Sequence, residues 1–261
     1  MSTVVSTGRS ERFQSYMRQL ALVLSRTPFH PQWFSFRAKI RAADFVANAA
    51  TGRLLDVGCA DAVLRGRTAA RCQYVSLDYP VTGKGLYEAR PDVFGDAAAL
   101  PFGSNTFDGV VLLDVLEHLK EPRASLCEIA RVLRLGGKLF VNVPCLYPLH
   151  DEPHDYQRPT EHGLRHWLTQ AGFQVNRIDA RGAPAETAAL LLNIVLARIA
   201  IRLSRFFPPL LLVALLLLPL FALVNFIGWG VGCATRKDDF MPFAYWAIAS
   251  RVSTPVVGGS A

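Results

Sequence analysis

At 261 residues the chain is long enough for one large domain, or one domain with an appendage, and either can bury a sizeable core. Its net charge of +7 comes from scattered basic residues with no Lys/Arg run, which argues against a nucleic-acid tail and favours a membrane surface. Hydrophobic residues make up 51% of the chain, and the excess is concentrated between residues 188 and 231.

The five cysteines (Cys59, Cys72, Cys127, Cys145 and Cys233) are odd in number and lack Cys-x-x-Cys spacing. That fits a reducing compartment and argues against a zinc site or a disulfide framework. Residues 1–8 are polar, so no signal peptide is expected. Residues 10–26 place Phe13, Tyr16, Met17, Leu20, Val23 and Leu24 among Arg12, Arg18 and Arg26, the pattern of a basic amphipathic helix. Pro28 and Pro31 end it, and residues 35–50 read as a second helix beside the first strand.

Residues 53–61 run Arg-Leu-Leu-Asp-Val-Gly-Cys-Ala-Asp: an apolar strand that stops at Gly58 and gives way to small residues and Asp61. Gly58 lets the backbone approach a ligand, and Asp56 is expected to fix the turn by accepting its N–H groups. Residues 62–71 read as a helix whose N-terminus would face that ligand. Residues 73–77 form a second β-prone run ending at Asp78, 20 positions after Gly58. An acidic residue at that distance hydrogen-bonds the ribose in Rossmann-like domains, and Tyr79 beside it could stack on an adenine.

The first stretch resembles the opening motif of class I S-adenosylmethionine (SAM)-dependent methyltransferases, Asp-x-Gly-x-Gly-x-Gly, with Ala60 and Ala62 at the later glycine positions. Gly95-Asp96-Ala97 followed by Leu100-Pro101-Phe102 is similar to that family's third motif, and the segment from Asp114 to Leu119 is similar to its Leu-Glu-His segment. The resemblance implies cofactor contacts from Asp56, Gly58, Cys59, Ala60, Asp61, Asp78, Tyr79, Asp96, Ala97 and Asp114. The alternation of strands and helices calls for a Rossmann-like, doubly wound α/β sheet of seven strands, with ligand at the strands' carboxyl ends.

After the fifth strand, residues 147–160 pack three prolines, two histidines and three carboxylates into a polar loop. It resembles the corresponding loop of methyltransferases that act on sugars, lipids and cell-surface glycans. Methyl transfer needs a positioned nucleophile relieved of its proton, so His150 and His154 are the candidate bases, left unranked. Asp155 and Tyr156 complete the catalytic candidates, with Tyr156 and Arg158 as substrate contacts. Asp114-x-x-Glu117-His118 is also similar to the Glu-x-x-Glu-His of some magnesium-dependent O-methyltransferases. That reading is the less favoured, and no metal is expected.

Residues 173–180 alternate as a sixth strand, whereas the only good seventh-strand candidate is residues 243–251. Between them, residues 206–235 contain no charge and exceed the length that spans a bilayer. A single crossing would separate the last strand from its sheet. The expectation is therefore a monotopic hairpin broken at Pro219, or two short interfacial helices, docked through Arg198, Arg202, Arg205, Arg236 and Lys237, with a single transmembrane helix and an external tail as the alternative.

The domain reading is N-terminal helices over residues 1–51, a SAM-binding domain over 52–187, a membrane-associating segment over 188–235 and a tail with the last strand over 236–261. The function expected is SAM-dependent O-methylation of an amphipathic or lipid-linked small acceptor at the cytosolic membrane face, with membrane lipid as a partner and no nucleic acid. A non-catalytic membrane-tethered module and an NAD(P)-dependent oxidoreductase are the alternatives; the latter lacks its Gly-x-Gly-x-x-Gly.

Overall fold

The computed structural model describes residues 23–60, 62–68, 71–87, 89–204, 210–235 and 239–252. Most of the predicted helix over residues 10–26 lies outside them. The chain forms two compact units, residues 39–181 with 242–261 and residues 1–38 with 182–241.

The first unit holds the sheet. Helix α1 (Trp33–Ala49) leads into β1 (Gly52–Val57), and a short helix α2 (Arg65–Thr68) precedes β2 (Cys72–Asp78). The helix expected over residues 62–71 starts late because Ala62 takes a left-handed φ of 51°, which no α-helix accommodates. Then come α3 (Pro80–Leu86), β3 (Val93–Phe94), β4 (Phe107–Leu113), α4 (Pro122–Val132) and β5 (Leu133–Pro144). Helix α5 (Glu161–Gln170), capped by the Thr160 side chain on the Gly163 N–H, precedes β6 (Phe173–Arg181). The last strand, β7 (Ala244–Arg251), returns from the far side of the second unit's helices in sequence.

The seven strands are ordered β3-β2-β1-β4-β5-β7-β6, parallel except for β7, which runs antiparallel to both neighbours. This is the expected Rossmann-like sheet. One face packs Leu55, Leu112 and Leu139 with Leu126 and Ile129 of α4, all fully buried. The other packs Leu54, Val111, Phe140 and Trp246 with Ala42, Ala43 and Val46 of α1. Near-continuous apolar strands follow from burial on both faces, and each fully buried leucine contributes about 1.5–3 kcal/mol. The Leu-Pro-Phe segment is fastened to α4, because the Arg131 guanidinium donates to the carbonyls of Leu100 and Phe102.

The second unit is built on two antiparallel helices, α6 (Pro184–Ser204) and α7 (Leu210–Ala234). Gly228 lies so close to α6 that a Cβ there would meet Ala189 Cβ at 2.6 Å. Asn193 donates to Asn225 at 3.0 Å inside the pair, and Asn225 donates to the carbonyls of Pro28 and His30. Pro219 sits within the continuous helix α7 and does not divide it, contrary to expectation. A proline inside a helix costs about 3 kcal/mol. Here the strong helix formers on both sides, and the packing of residues 221–232 against α6, outweigh that cost. The two helices α6 and α7, rather than two halves of α7, pair with each other.

Candidate active site

Within the sheet unit, a cavity of about 370 Å³ opens at the carboxyl ends of β1, β2 and β4. The turn after β1 forms its floor. Gly58 has φ of 71°, and a Cβ there would lie 2.5 Å from a Val115 methyl, so only glycine fits. The Gly58 and Cys59 N–H groups donate to the Leu77 carbonyl, and the Ala60 N–H donates to Asp78 Oδ2 at 2.7 Å. Asp56 does not hold the turn through its N–H groups as expected. It is buried and accepts from the Tyr74 hydroxyl. Burial pushes its carboxyl up to about 7, against the pull of Tyr74.

Asp78 is 4% exposed and links the turn to the cavity. Burial raises its carboxyl above the usual range, opposed by the Ala60 and Tyr79 N–H groups. Its Oδ1 lies against Gly83, where a Cβ would come within 2.8 Å. Gly58, Ala60, Asp78, Tyr79, Asp96, Ala97 and Asp114 all line the cavity. Asp96 accepts from the Ala98 N–H, and Asp114 pairs with Lys39 at 3.4 Å and accepts from Asn142. Asp56 and Cys59 stand behind the wall, and Asp61 lies outside the described residues. Burial, then the charges of Asp56 and Asp78, push the Cys59 thiol up to about 12, so it is not a nucleophile at neutral pH.

Ala60 and Ala62 adopt left-handed φ of 44° and 51°, the conformation in which glycine costs nothing. A left-handed alanine is disfavoured by about 1–2 kcal/mol, less the entropy that glycine restores to the unfolded chain. Ala60→Gly and Ala62→Gly should therefore each leave stability unchanged or raise it by up to about 1 kcal/mol, as read by denaturant unfolding. Clear destabilisation by either would contradict the turn geometry.

The polar loop folds back over the end of β4. The Tyr156 and Gln157 N–H groups donate to the Glu117 carbonyl, and the Gln157 side chain donates to that of Leu119. This brings Asp151, His154 and Tyr156 onto the cavity beside His118. Tyr156 Oη stands 3.4 Å from His154 Nδ1. His150 and Asp155 lie one layer behind, where Asp155 Oδ2 accepts the His150 N–H at 3.0 Å. Arg158, expected at the substrate, works inside the loop. It forks onto both Asp155 oxygens and donates to the Tyr147 and Pro148 carbonyls.

Sequence reasoning missed Lys39, Tyr87 and Val115, which also line the cavity. Tyr87 donates to Asp151. Lys39 and Tyr87 sit in no motif, and Val115, though inside the Asp114–Leu119 segment, was not singled out there; the approach of α1, α3 and the end of β4 brings the three together.

A Rossmann-like sheet with a glycine turn, an acid at the end of β2 and a cavity between them defines a class of nucleotide-cofactor proteins. The methyltransferase-domain family model matches residues 55–141, the segment that builds most of this cavity. Over that segment the chain is similar to the class I SAM-dependent methyltransferases.

An O-methyltransferase of Penicillium expansum, cnsE, is 30% identical over 148 residues, covering 47% of this chain and 52% of that protein. The demethylmenaquinone methyltransferase of Renibacterium salmoninarum is 47% identical over 55 residues, covering 20% of this chain and 23% of its own length. The chain thus spans about half of the fungal relative and less of the bacterial one. Among solved structures, the [4+2]-cyclase SpnF superposes with a TM-score of 0.51 at 21% identity, covering 81% of this chain and 80% of that one. A putative sarcosine dimethylglycine methyltransferase from Galdieria sulphuraria superposes with a TM-score of 0.50 at 16% identity, covering 85% of each chain. These two likenesses speak to the fold alone.

The family's cofactor is S-adenosyl-L-methionine, and the residues here suit it. Gly58 brings the bare backbone of the turn to the cavity wall, Asp78 is a buried carboxylate of the kind that accepts ribose hydroxyls, and Tyr79 and Asp96 line the same cavity.

Proposed function

We propose that this chain transfers the methyl group of SAM to an oxygen of a small amphipathic or lipid-linked acceptor, at the cytosolic face of a membrane. The reading is supported by one cavity lined both by Gly58, Asp78 and Asp96 of the matched segment and by His154 and Tyr156 of the loop. When bound, SAM supplies an electrophilic methyl on a sulfonium. The protein's own task is to orient the acceptor and take its proton. His154 is the proposed base, because it borders the cavity, whereas His150 and Asp155 position the loop from behind. Tyr156 beside it is a proposed acceptor contact.

Support for a membrane comes from helices Pro184–Ser204 and Leu216–Ala234, both long and apolar enough to cross one. Leu192, Val195, Ile199, Leu216, Leu223 and Ile227 on them are exposed. The chain leaves the sheet at Arg181 and re-enters beside it, where the Phe243 N–H donates to the Arg181 carbonyl. Any excursion into a bilayer between those points must return to the same side, as a hairpin does. Of the proposed docking cations, Arg198 and Arg202 lie on α6, while Arg205, Arg236 and Lys237 lie outside the described residues.

The test is methyl transfer from labelled SAM into fractionated polar lipids and quinone precursors, using full-length protein in liposomes. Label should enter one fraction, and His154→Gln should lower kcat about 100-fold at unchanged SAM affinity. Failure of every fraction to accept label, or full activity in His154→Gln, would overturn the acceptor class or the base respectively. A tag placed after Ala261 should remain protease-accessible in sealed vesicles; its protection would exclude the hairpin.

A further inference from the structure

We propose that Glu117, His118 and His150 form a binding site for one divalent transition-metal ion of the zinc, iron(II) or manganese(II) class. The first observation is an orphaned acid. Glu117 is fully buried, and neither of its carboxylate oxygens has a hydrogen-bond partner among the described residues. A buried carboxyl left so is costly, and a cation is the usual remedy.

The second observation is convergence. His118 Nε2 and His150 Nε2 lie 3.7 and 3.8 Å from the same Glu117 oxygen, and the three candidate donor atoms all fall within 4.8 Å of one another. Metal–ligand bonds of about 2.1 Å place two donors on one ion at most about 4.2 Å apart. Small side-chain rotations would therefore close the site.

The third is the arrangement behind the rings. His118 Nδ1 stands 2.7 Å from the His154 carbonyl oxygen, so it must carry the proton, and Nε2 is left with its lone pair toward Glu117. His150 Nδ1 faces Asp155 Oδ2 at 3.4 Å and the Pro148 carbonyl at 3.3 Å, with an Arg158 nitrogen also at 3.4 Å. Two of these three neighbours are acceptors, and a proton on Nδ1 facing them would free Nε2 for a metal. Ring N–H groups anchored on a carbonyl or carboxylate, with the opposite nitrogens converging, are how proteins orient metal-binding histidines.

Two imidazoles with one carboxylate favour a transition ion over magnesium or calcium. Asp151 Oδ2 is 3.8 Å from His118 Nε2, and both residues also border the cavity. The ion's remaining positions would thus face the space proposed for the acceptor. The inference does not depend on which acceptor, or which base, proves correct.

The test uses full-length protein stripped with a chelator, desalted and titrated with Zn²⁺, with bound metal read by mass spectrometry. Co²⁺ then provides visible ligand-field bands. The expected result is one equivalent per chain, with affinity at least about 100-fold weaker in Glu117→Gln. Should Glu117→Gln fail to fold, His150→Gln, altering a part-exposed ring, should show the same loss. Absence of metal uptake by the wild type would overturn the site, as would undiminished uptake by both variants. A metal-free wild type that Glu117→Gln stabilises would identify Glu117 as a neutral buried acid instead.

Discussion

Asp78→Ala is expected to weaken S-adenosylhomocysteine binding about 1000-fold, the loss of two charge-assisted hydrogen bonds at roughly 1.5–3 kcal/mol each. The carboxylate joins two jobs. One oxygen accepts the Ala60 N–H and holds the turn closed, and the side chain borders the cavity where ribose hydroxyls would sit. Asp78→Asn separates them, because it keeps an acceptor for Ala60 while removing the charge. It should fold like the wild type yet still bind at least about 30-fold more weakly. Calorimetric titration of both variants decides the matter, and wild-type affinity in either would remove Asp78 from the cofactor site.

Arg158→Ala should lower stability by about 3 kcal/mol and abolish turnover. Asp155 has a side chain only 1% exposed, and among the described residues its ion-pair contacts are the Arg158 guanidinium and the His150 ring. Removing the guanidinium strands a buried carboxylate and frees the Tyr147 and Pro148 carbonyls it also engages. Arg158→Lys should recover only part of the loss, since an ammonium cannot fork onto both Asp155 oxygens.

This effect has a definite pH dependence. Burial by itself would raise the Asp155 carboxyl, but the Arg158 hydrogen bonds and the His150 N–H outweigh it and hold it below the ordinary carboxylate range. A depressed carboxyl stabilises the fold above its unfolded value of about 3.9, and that stability disappears as pH falls through the folded value. The wild type and Arg158→Ala should therefore differ fully near neutrality and converge in acid. A gap that persists unchanged into acid would mean that the loss comes from packing alone.

The order of strands β1 to β5, the glycine turn and the acid at the end of β2 were legible because each is a local pattern. An apolar run, a glycine and a carboxylate at a set distance need no knowledge of the rest of the chain. The last strand was legible for a different reason: a sheet short of one strand and a single β-prone segment near the end of the chain left little choice. The break at Pro219 was misread, because proline's local penalty was weighed without the long helical flanks and the packing against α6 that sustain α7. The late start of α2 was missed similarly, since nothing in the letters shows that Ala62 is left-handed.

By itself, then, the sequence determined the Rossmann-like class, the cofactor and the uncharged stretch inserted before the final strand. These follow from periodicity and from motifs whose residues are neighbours in the chain. Only the tertiary structure decided which loop residues reach the cavity. His150 and His154 are four apart in sequence, yet His154 borders the cavity while His150 turns back toward Glu117. That separation arises because Asp155 and Arg158 hold the loop from within, and the Glu117 carbonyl holds it from below. The meeting of Glu117, His118 and His150 belongs to the same category. The distance between side chains 32 positions apart along the chain is set by how the loop folds back over β4, and no local pattern encodes it.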